Sequence, residues 1–183
     1  MNKKYISHLL INLELLEKKG HIDKKLIKEF RKRIKMGKLT KQDNGENHIC
    51  TYFLPINLKT KSIYLCHHKK ANDWIPPGGH IEKGEKPIDT VKREFNEELG
   101  YILTDEKVEF MNLSITKINN PKLKCKIHYD LWFLVHINKI NFKFCKREFY
   151  TASWIDINQA LKKIRQKNRI DIEKLKYIYT NLF

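Results

Sequence analysis

The chain has 183 residues and a formal net charge of +16, from 37 Lys and Arg against 21 Asp and Glu. That length suits one domain, or one domain with a small appendage, and 41% hydrophobic with 11% aromatic residues is too rich for a disordered chain. No apolar run is long enough to span a bilayer. Asn12 and Glu14 interrupt the opening apolar stretch before any cleavage signal, and the four Cys form no CxxC pair. A secretory leader, a disulfide framework and a zinc knuckle are therefore not expected, and the expected setting is the cytoplasm.

Taken in chain order, residues 5–19 place Ile6, Leu9, Leu10, Leu13 and Leu16 at helical spacing, and Gly20 is a natural stop. Asp23 reads as the N-cap of a second helix to about Met36, with Leu26, Ile27, Phe30 and Ile34 on one stripe. The pair predicts a helical hairpin with a basic outer face, an arm that packs its stripe on the main domain or meets a partner, RNA or a membrane surface. Residues 37–47 are polar, contain two glycines and read as a linker. The expected division is an arm and linker over 1–45 and a main domain over 46–183.

Beyond the linker the periodicity shifts towards two. Strands are predicted at HICTYFLPI, KSIYLCHH and VEFMNLSITKI, and the strongest at KCKIHYDLWFLVHI. That last run is apolar at Ile127, Tyr129, Leu131, Phe133, Val135 and Ile137 and mixed on its other face, which implies a sheet covered on both sides. Asp156 can cap a helix carrying Ile157, Ala160, Leu161 and Ile164, and a last helix from about Asp171 carries Ile172, Leu175, Ile178 and Leu182.

The charge itself points weakly to function. Of the basic residues 31 are Lys and only 6 are Arg, while Ala occurs three times, a skew that reads as codon bias rather than a phosphate-gripping surface. Residues 1–41 carry 13 basic and 4 acidic side chains, so the excess concentrates on the arm. Nucleic acid is compatible with this pattern but not favoured.

The informative stretch is PPGGHIEKGEKPIDTVKREFNEELGY, residues 76–101. Pro87 suits the first turn of a helix and Gly100 its left-handed end. Stepping about 100° per residue from Glu94, Val91, Phe95, Ile88 and Leu99 fall between about 60° and about 140°, one buried stripe. Glu97 falls at about 300° and Glu98 at about 40°, so three carboxylates share an arc of about 100° beside that stripe. Like charges at these spacings repel, and a hard divalent cation such as Mg²⁺ or Mn²⁺ would reverse the penalty. Arg93 can pair with Glu97 and fix its rotamer. Gly78, Gly79 and Gly84 let backbone approach an ion or phosphate closely.

Gly79, five residues, Glu85, seven residues, then Arg93-Glu94-Phe95-Asn96-Glu97-Glu98-Leu99-Gly100-Tyr101 resembles the Nudix box, with all seven fixed positions present. A chance match is on the order of one in 10⁸ per starting position. Phe95 and Tyr101 are aromatic where the family more often has an aliphatic side chain. The resemblance implies an α/β/α sandwich with a mixed sheet, preceded here by the helical hairpin. It also implies hydrolysis of a nucleoside diphosphate linked to another moiety, with Mg²⁺ or Mn²⁺ as cofactor. By position, Glu94, Glu97 and Glu98 resemble the metal-binding carboxylates, the Gly79 carbonyl a further ligand, Arg93 the orienting residue and Glu85 the loop-supporting glutamate. Glu94 is the expected base, with Glu148 as the candidate outside the box.

His67, His68, His80 and His128, with Lys69 and Trp74, form a second set, expected as substrate contacts or as strand-end and core residues. Their spacings match no zinc pattern. Trp74 and Trp132 could stack a base, although large aromatics are more often core. The leading function is a pyrophosphohydrolase of a small nucleotide derivative. An enzyme of RNA 5′ ends is the alternative, and a non-catalytic nucleotide sensor a third that the complete box argues against. Homo-oligomerisation is compatible with the sequence.

Overall fold

In the computed structural model, residues 3–20, 22–138, 141–164 and 172–182 are described. Two helices open the chain, α1 (Lys3–Lys19) and α2 (Lys24–Lys35), followed by β1 (Asn47–Asn57), β2 (Ser62–His68), β3 (Asp73–Ile75) and β4 (Gly78–His80). Then come α3 (Pro87–Leu99), β5 (Val108–Lys117), β6 (Ile127–His136), β7 (Phe149–Asp156), α4 (Ile157–Ile164) and α5 (Ile172–Leu182). Among the described residues the strands form one sheet in the order β3-β2-β1-β6-β5, with β4 pairing β1 and β7 pairing β2. No described helix is long and apolar enough to cross a membrane.

The chain contacts resolve into two compact units, interleaved along the sequence. One comprises residues 1–52, 79–91 and 110–133. Here the arm takes the shape its periodicity predicts. Leu9, Leu13 and Leu16 of α1 and Ile27, Phe30 and Ile34 of α2 are buried, and the Asp23 side chain accepts the Lys25 N–H at 2.8 Å as N-cap. Residues 37–47, expected as a plain linker, are held more tightly than their composition suggests. Leu39 and Thr40 are buried, and the Ile49 N–H donates to the Leu39 carbonyl at 2.8 Å. Arg33 explains the tightness: its guanidinium donates to the carbonyls of Gly37 and Lys38 at 2.7 Å and of Asn47 at 2.5 Å. A fork of donors thereby ties the end of α2 to the start of β1.

The other unit comprises residues 53–78, 92–109 and 134–183. Its long ladder joins β2 to β7, antiparallel from Ser62 opposite Asp156 to His68 opposite Phe149, with an irregularity at His67/His68. β7, β3 and β4 were not anticipated: two are three-residue strands, and FYTASWID mixes exposed and half-buried positions without clean alternation. Asp156 caps α4 as expected, accepting the Asn158 N–H at 2.9 Å. Asp171 and the side chains of Ile164, Ile172 and Leu182 lie outside the described residues.

α3 ends as Pro87 and Gly100 predict. Gly100 has φ +62°, and a Cβ there would meet the Lys143 carbonyl oxygen at 2.9 Å. Gly100→Ala is expected to destabilise the protein by about 1–2 kcal/mol, from left-handed strain and displaced backbone. Thermal unfolding checks this, and an unchanged Tm would contradict it. The aromatic departures in the box have a packing reason. Phe95 stacks on Phe53 at 5.1 Å and meets Phe142 edge-on at 5.5 Å, and Tyr101 meets both Phe95 and Phe142.

Candidate active site

Along α3 the carboxylates descend from solvent to core as their angular distance from the apolar stripe shrinks, Glu97 first, then Glu94, then Glu98. The Glu97 side chain is 56% exposed, Glu94 is 12% exposed, and Glu98 is buried beside Phe95 and Leu99. Arg93 holds the outer two, donating to Glu94 at 2.8 Å and to Glu97 at 3.2 Å. The Gly78 N–H donates to Glu98 at 2.7 Å, a single neutral donor for a buried acid.

Burial raises the carboxyl pKa of Glu98 well above its ordinary value, and the neighbouring charges of Glu94 and Glu148 add to the rise against the Gly78 hydrogen bond. Burial also raises Glu94, opposed by Arg93 and reinforced by Glu97 and Glu148. Glu148, on the segment before β7, is therefore near enough to act on both acids. The Cys66 thiol is raised too, by burial and then by Glu98. So much unbalanced negative charge against a core is costly unless a cation shares it. The all-oxygen donor set of Glu94, Glu97 and Glu98 fits a hard divalent ion.

In the same unit, β2 and β3 gather four of the expected substrate contacts. His67 stacks on half-buried Trp74 with centroids 5.5 Å apart and planes within 9°, and Lys163 Nζ sits 3.8 Å from the Trp74 ring centre. Lys69 Nζ donates to the Lys146 carbonyl at 2.6 Å and lies 5.6 Å from the Tyr150 ring centre. His68 Nδ1 accepts the Ala71 N–H at 3.0 Å.

Gly79, Glu85, His80 and His128 belong to the first unit. Glu85 braces its loop, accepting the Glu82 N–H at 3.0 Å and the Thr90 hydroxyl at 2.7 Å. Trp132 is core: it is buried, stacks on Tyr52, and donates its indole N–H to Ser114 at 2.9 Å. His80, the last residue of β4, and His128 on β6 are neighbours, their ring centroids 5.4 Å apart, and both lie 4.9 Å from the His48 ring centroid. His48 and Cys50 were not singled out from the sequence. Their spacing of two on a strand was the available signal, because it puts both on one face.

The NUDIX domain family matches residues 46–175. The probable DHNTP pyrophosphohydrolase of Lactococcus lactis subsp. cremoris is 27% identical over 113 residues, covering 60% of this chain and 68% of that protein. The m7GpppN-mRNA hydrolase NUDT17 of Xenopus laevis is 29% identical over 114 residues, 55% of this chain but only 38% of its own length. Among solved structures, the E. coli dihydroneopterin triphosphate pyrophosphohydrolase aligns with a TM-score of 0.59 at 15% identity, over 73% of this chain and 94% of that one. The C. elegans Ap4A hydrolase aligns with a TM-score of 0.61 at 16% identity, over 73% and 96%. The chain belongs to the Nudix family of hydrolases, enzymes of phosphoanhydride bonds, and its fold is the family's α/β sandwich with a mixed sheet, here preceded by a helical hairpin. Divalent-metal binding is typical of that family.

Proposed function

We propose that the chain is a Mg²⁺- or Mn²⁺-dependent pyrophosphohydrolase of a nucleoside diphosphate-linked small molecule, with residues 1–45 an arm ahead of the hydrolase domain at 46–183. The observation that carries the metal dependence is Glu98, a buried acid beside two further carboxylates with one neutral donor. Glu94, Glu97 and Glu98 hold the ion, with the Gly79 carbonyl as a further ligand by its position in the box. When bound, such an ion neutralises diphosphate oxygens and lowers the pKa of a bound water.

The remaining steps belong to the protein's own groups. Glu94 accepts the proton of the attacking water at its carboxylate, since burial has already raised its proton affinity. Glu148 is the alternative acceptor. Arg93 keeps Glu94 and Glu97 in fixed rotamers, and Glu85 keeps the loop before α3 in shape. The half-exposed ring of Trp74, backed by His67 and faced by Lys163, with His68 and Lys69 on the same strand end, supplies stacking and positive charge for the nucleotide. Cys50, Cys66 and Cys125 are buried thiols, which suits a reducing cytoplasmic setting.

The test is a phosphate- and pyrophosphate-release assay over nucleoside triphosphates, dinucleoside polyphosphates, nucleotide sugars, dihydroneopterin triphosphate and 5′-capped or triphosphorylated RNA, with Mg²⁺ and with Mn²⁺. Release from one small-molecule class is expected, and release from none would overturn the proposal. RNA 5′ ends stay as a second reading because Lys24, Lys25, Lys28, Lys32 and Lys35 all face solvent on α2. If RNA is the substrate, Lys28→Glu/Lys32→Glu/Lys35→Glu should lower turnover of RNA at least about 10-fold and flatten its salt dependence, with free nucleotides unaffected. Equal effects on both substrates would remove the RNA reading.

A further inference from the structure

We propose that His48, Cys50, His80 and His128 form a second metal site, separate in residues and in chemistry from the acidic helix, and that it takes Zn²⁺. One ligand atom from each of the four lies within 4.8 Å of all the others. They come from three segments: β1 supplies His48 and Cys50, β4 supplies His80 and β6 supplies His128. β1 is the common neighbour, since β4 pairs with it and β6 follows it in the sheet order. The two β1 residues are two apart and so share a face. All four lie in one compact unit.

The donor set selects the metal. Imidazole nitrogen and thiolate sulfur are borderline to soft ligands, poor for Mg²⁺ and suited to a tetrahedral Zn²⁺. In such a site adjacent donors are about 3.3–3.6 Å apart, so side-chain closure of about 1 Å from the present spacing completes it. His48 is already oriented. Its Nδ1 is 2.9 Å from the Asn44 carbonyl, which can only accept, so Nδ1 carries the proton and Nε2 the lone pair. His48 and Cys50 are buried, and His80 and His128 are half-buried. Four protein ligands leave no open position, which marks a structural rather than a catalytic ion. Binding displaces the Cys50 thiol proton to solvent, and the site then holds a net charge of about +1. Cys125 Sγ lies 3.8 Å from His48 Nε2 and is the competing partner. A thiol–imidazole contact without any ion would account for those two residues, although not for the convergence of His80, His128 and Cys50.

The experiment uses the full chain, tag removed, loaded with Zn²⁺, passed through metal-free buffer and measured for zinc by elemental analysis. About one zinc per chain is expected. His80→Ala/His128→Ala should retain less than about one tenth of that, whereas Cys125→Ser and Glu98→Gln should retain it in full. Co²⁺ loading of the unmutated chain gives a readout that needs no variant to fold: intense tetrahedral d–d bands with a thiolate charge-transfer band, the latter lost in Cys50→Ser. Zinc retained undiminished without His80 and His128 would overturn the proposal. So would an unmutated chain that binds no zinc, or one whose Co²⁺ spectrum is octahedral and lacks the thiolate band.

Discussion

Glu98→Gln is expected to cut turnover at least about 100-fold while making the metal-free protein more stable, by about 2–4 °C in Tm if the gain is about 1 kcal/mol. Both effects have one cause. The Glu98 carboxylate sits in the core, where burial and the charges of Glu94 and Glu148 raise its pKa. A carboxyl whose folded pKa lies above its unfolded value contributes stability that is complete below the ordinary carboxylate range and is lost as pH rises through the folded pKa. The metal-free chain should therefore lose Tm on going from mildly acidic to alkaline pH, and Glu98→Gln should flatten that slope. Gln keeps an amide oxygen for the Gly78 N–H, so the fold loses no hydrogen bond. What it loses is the negative charge a cation needs. Glu94→Gln should cut turnover as strongly, with a smaller stability gain, because Arg93 already offsets part of the cost of that charge. Turnover under saturating Mg²⁺ and thermal unfolding in chelator, across pH, measure both sides. Near-normal activity in either variant would remove these glutamates from the mechanism.

The same acids show how far the sequence could be read. Their placement beside the apolar stripe of α3 was legible, because a helix fixes the direction of every side chain relative to that stripe. Local rules also located the Asp23 cap, the Pro87 start and the Gly100 end of their helices. What local rules could not reach was convergence across strands. His48, His80 and His128 are about 30 and about 50 residues apart, and only the strand pairing puts them side by side. Helix stripes are written in neighbouring residues, whereas a cluster built from three strands is written in the sheet order. β7 escaped for a related reason: its place is fixed by the β2 ladder rather than by its own alternation. The linker illustrates a third limit, since Arg33 reads as one more basic residue until its three carbonyl acceptors are seen.

Phe30→Ala is expected to destabilise the protein by about 3–5 kcal/mol, the range for emptying a large aromatic site in a core. Phe30 has no exposed surface and meets Tyr129 of β6 edge-on at 5.4 Å, and the Arg33 guanidinium lies 5.8 Å from the centre of the same Tyr129 ring. The arm thus lends its apolar stripe to the compact unit that contains Tyr129. Its charge is carried on the opposite face, where Lys28, Lys32 and Lys35 are exposed and the Arg31–Glu17 pair at 2.8 Å is worth little. Changing the lysines should leave Tm within about 1–2 °C, since surface substitutions away from packed contacts cost about 0.5 kcal/mol or less. This contrast decides how the arm must be tested. Deleting residues 1–41 removes Phe30, Arg33 and Leu39 together, so lost activity in such a truncation would report unfolding rather than lost RNA contacts. Phe30→Ala should lower Tm and activity on every substrate in parallel, with normal turnover recovered at temperatures where the variant is folded. A Phe30→Ala protein with unchanged Tm would mean that the arm is dispensable to the fold, and truncation would then be a clean probe of its charge.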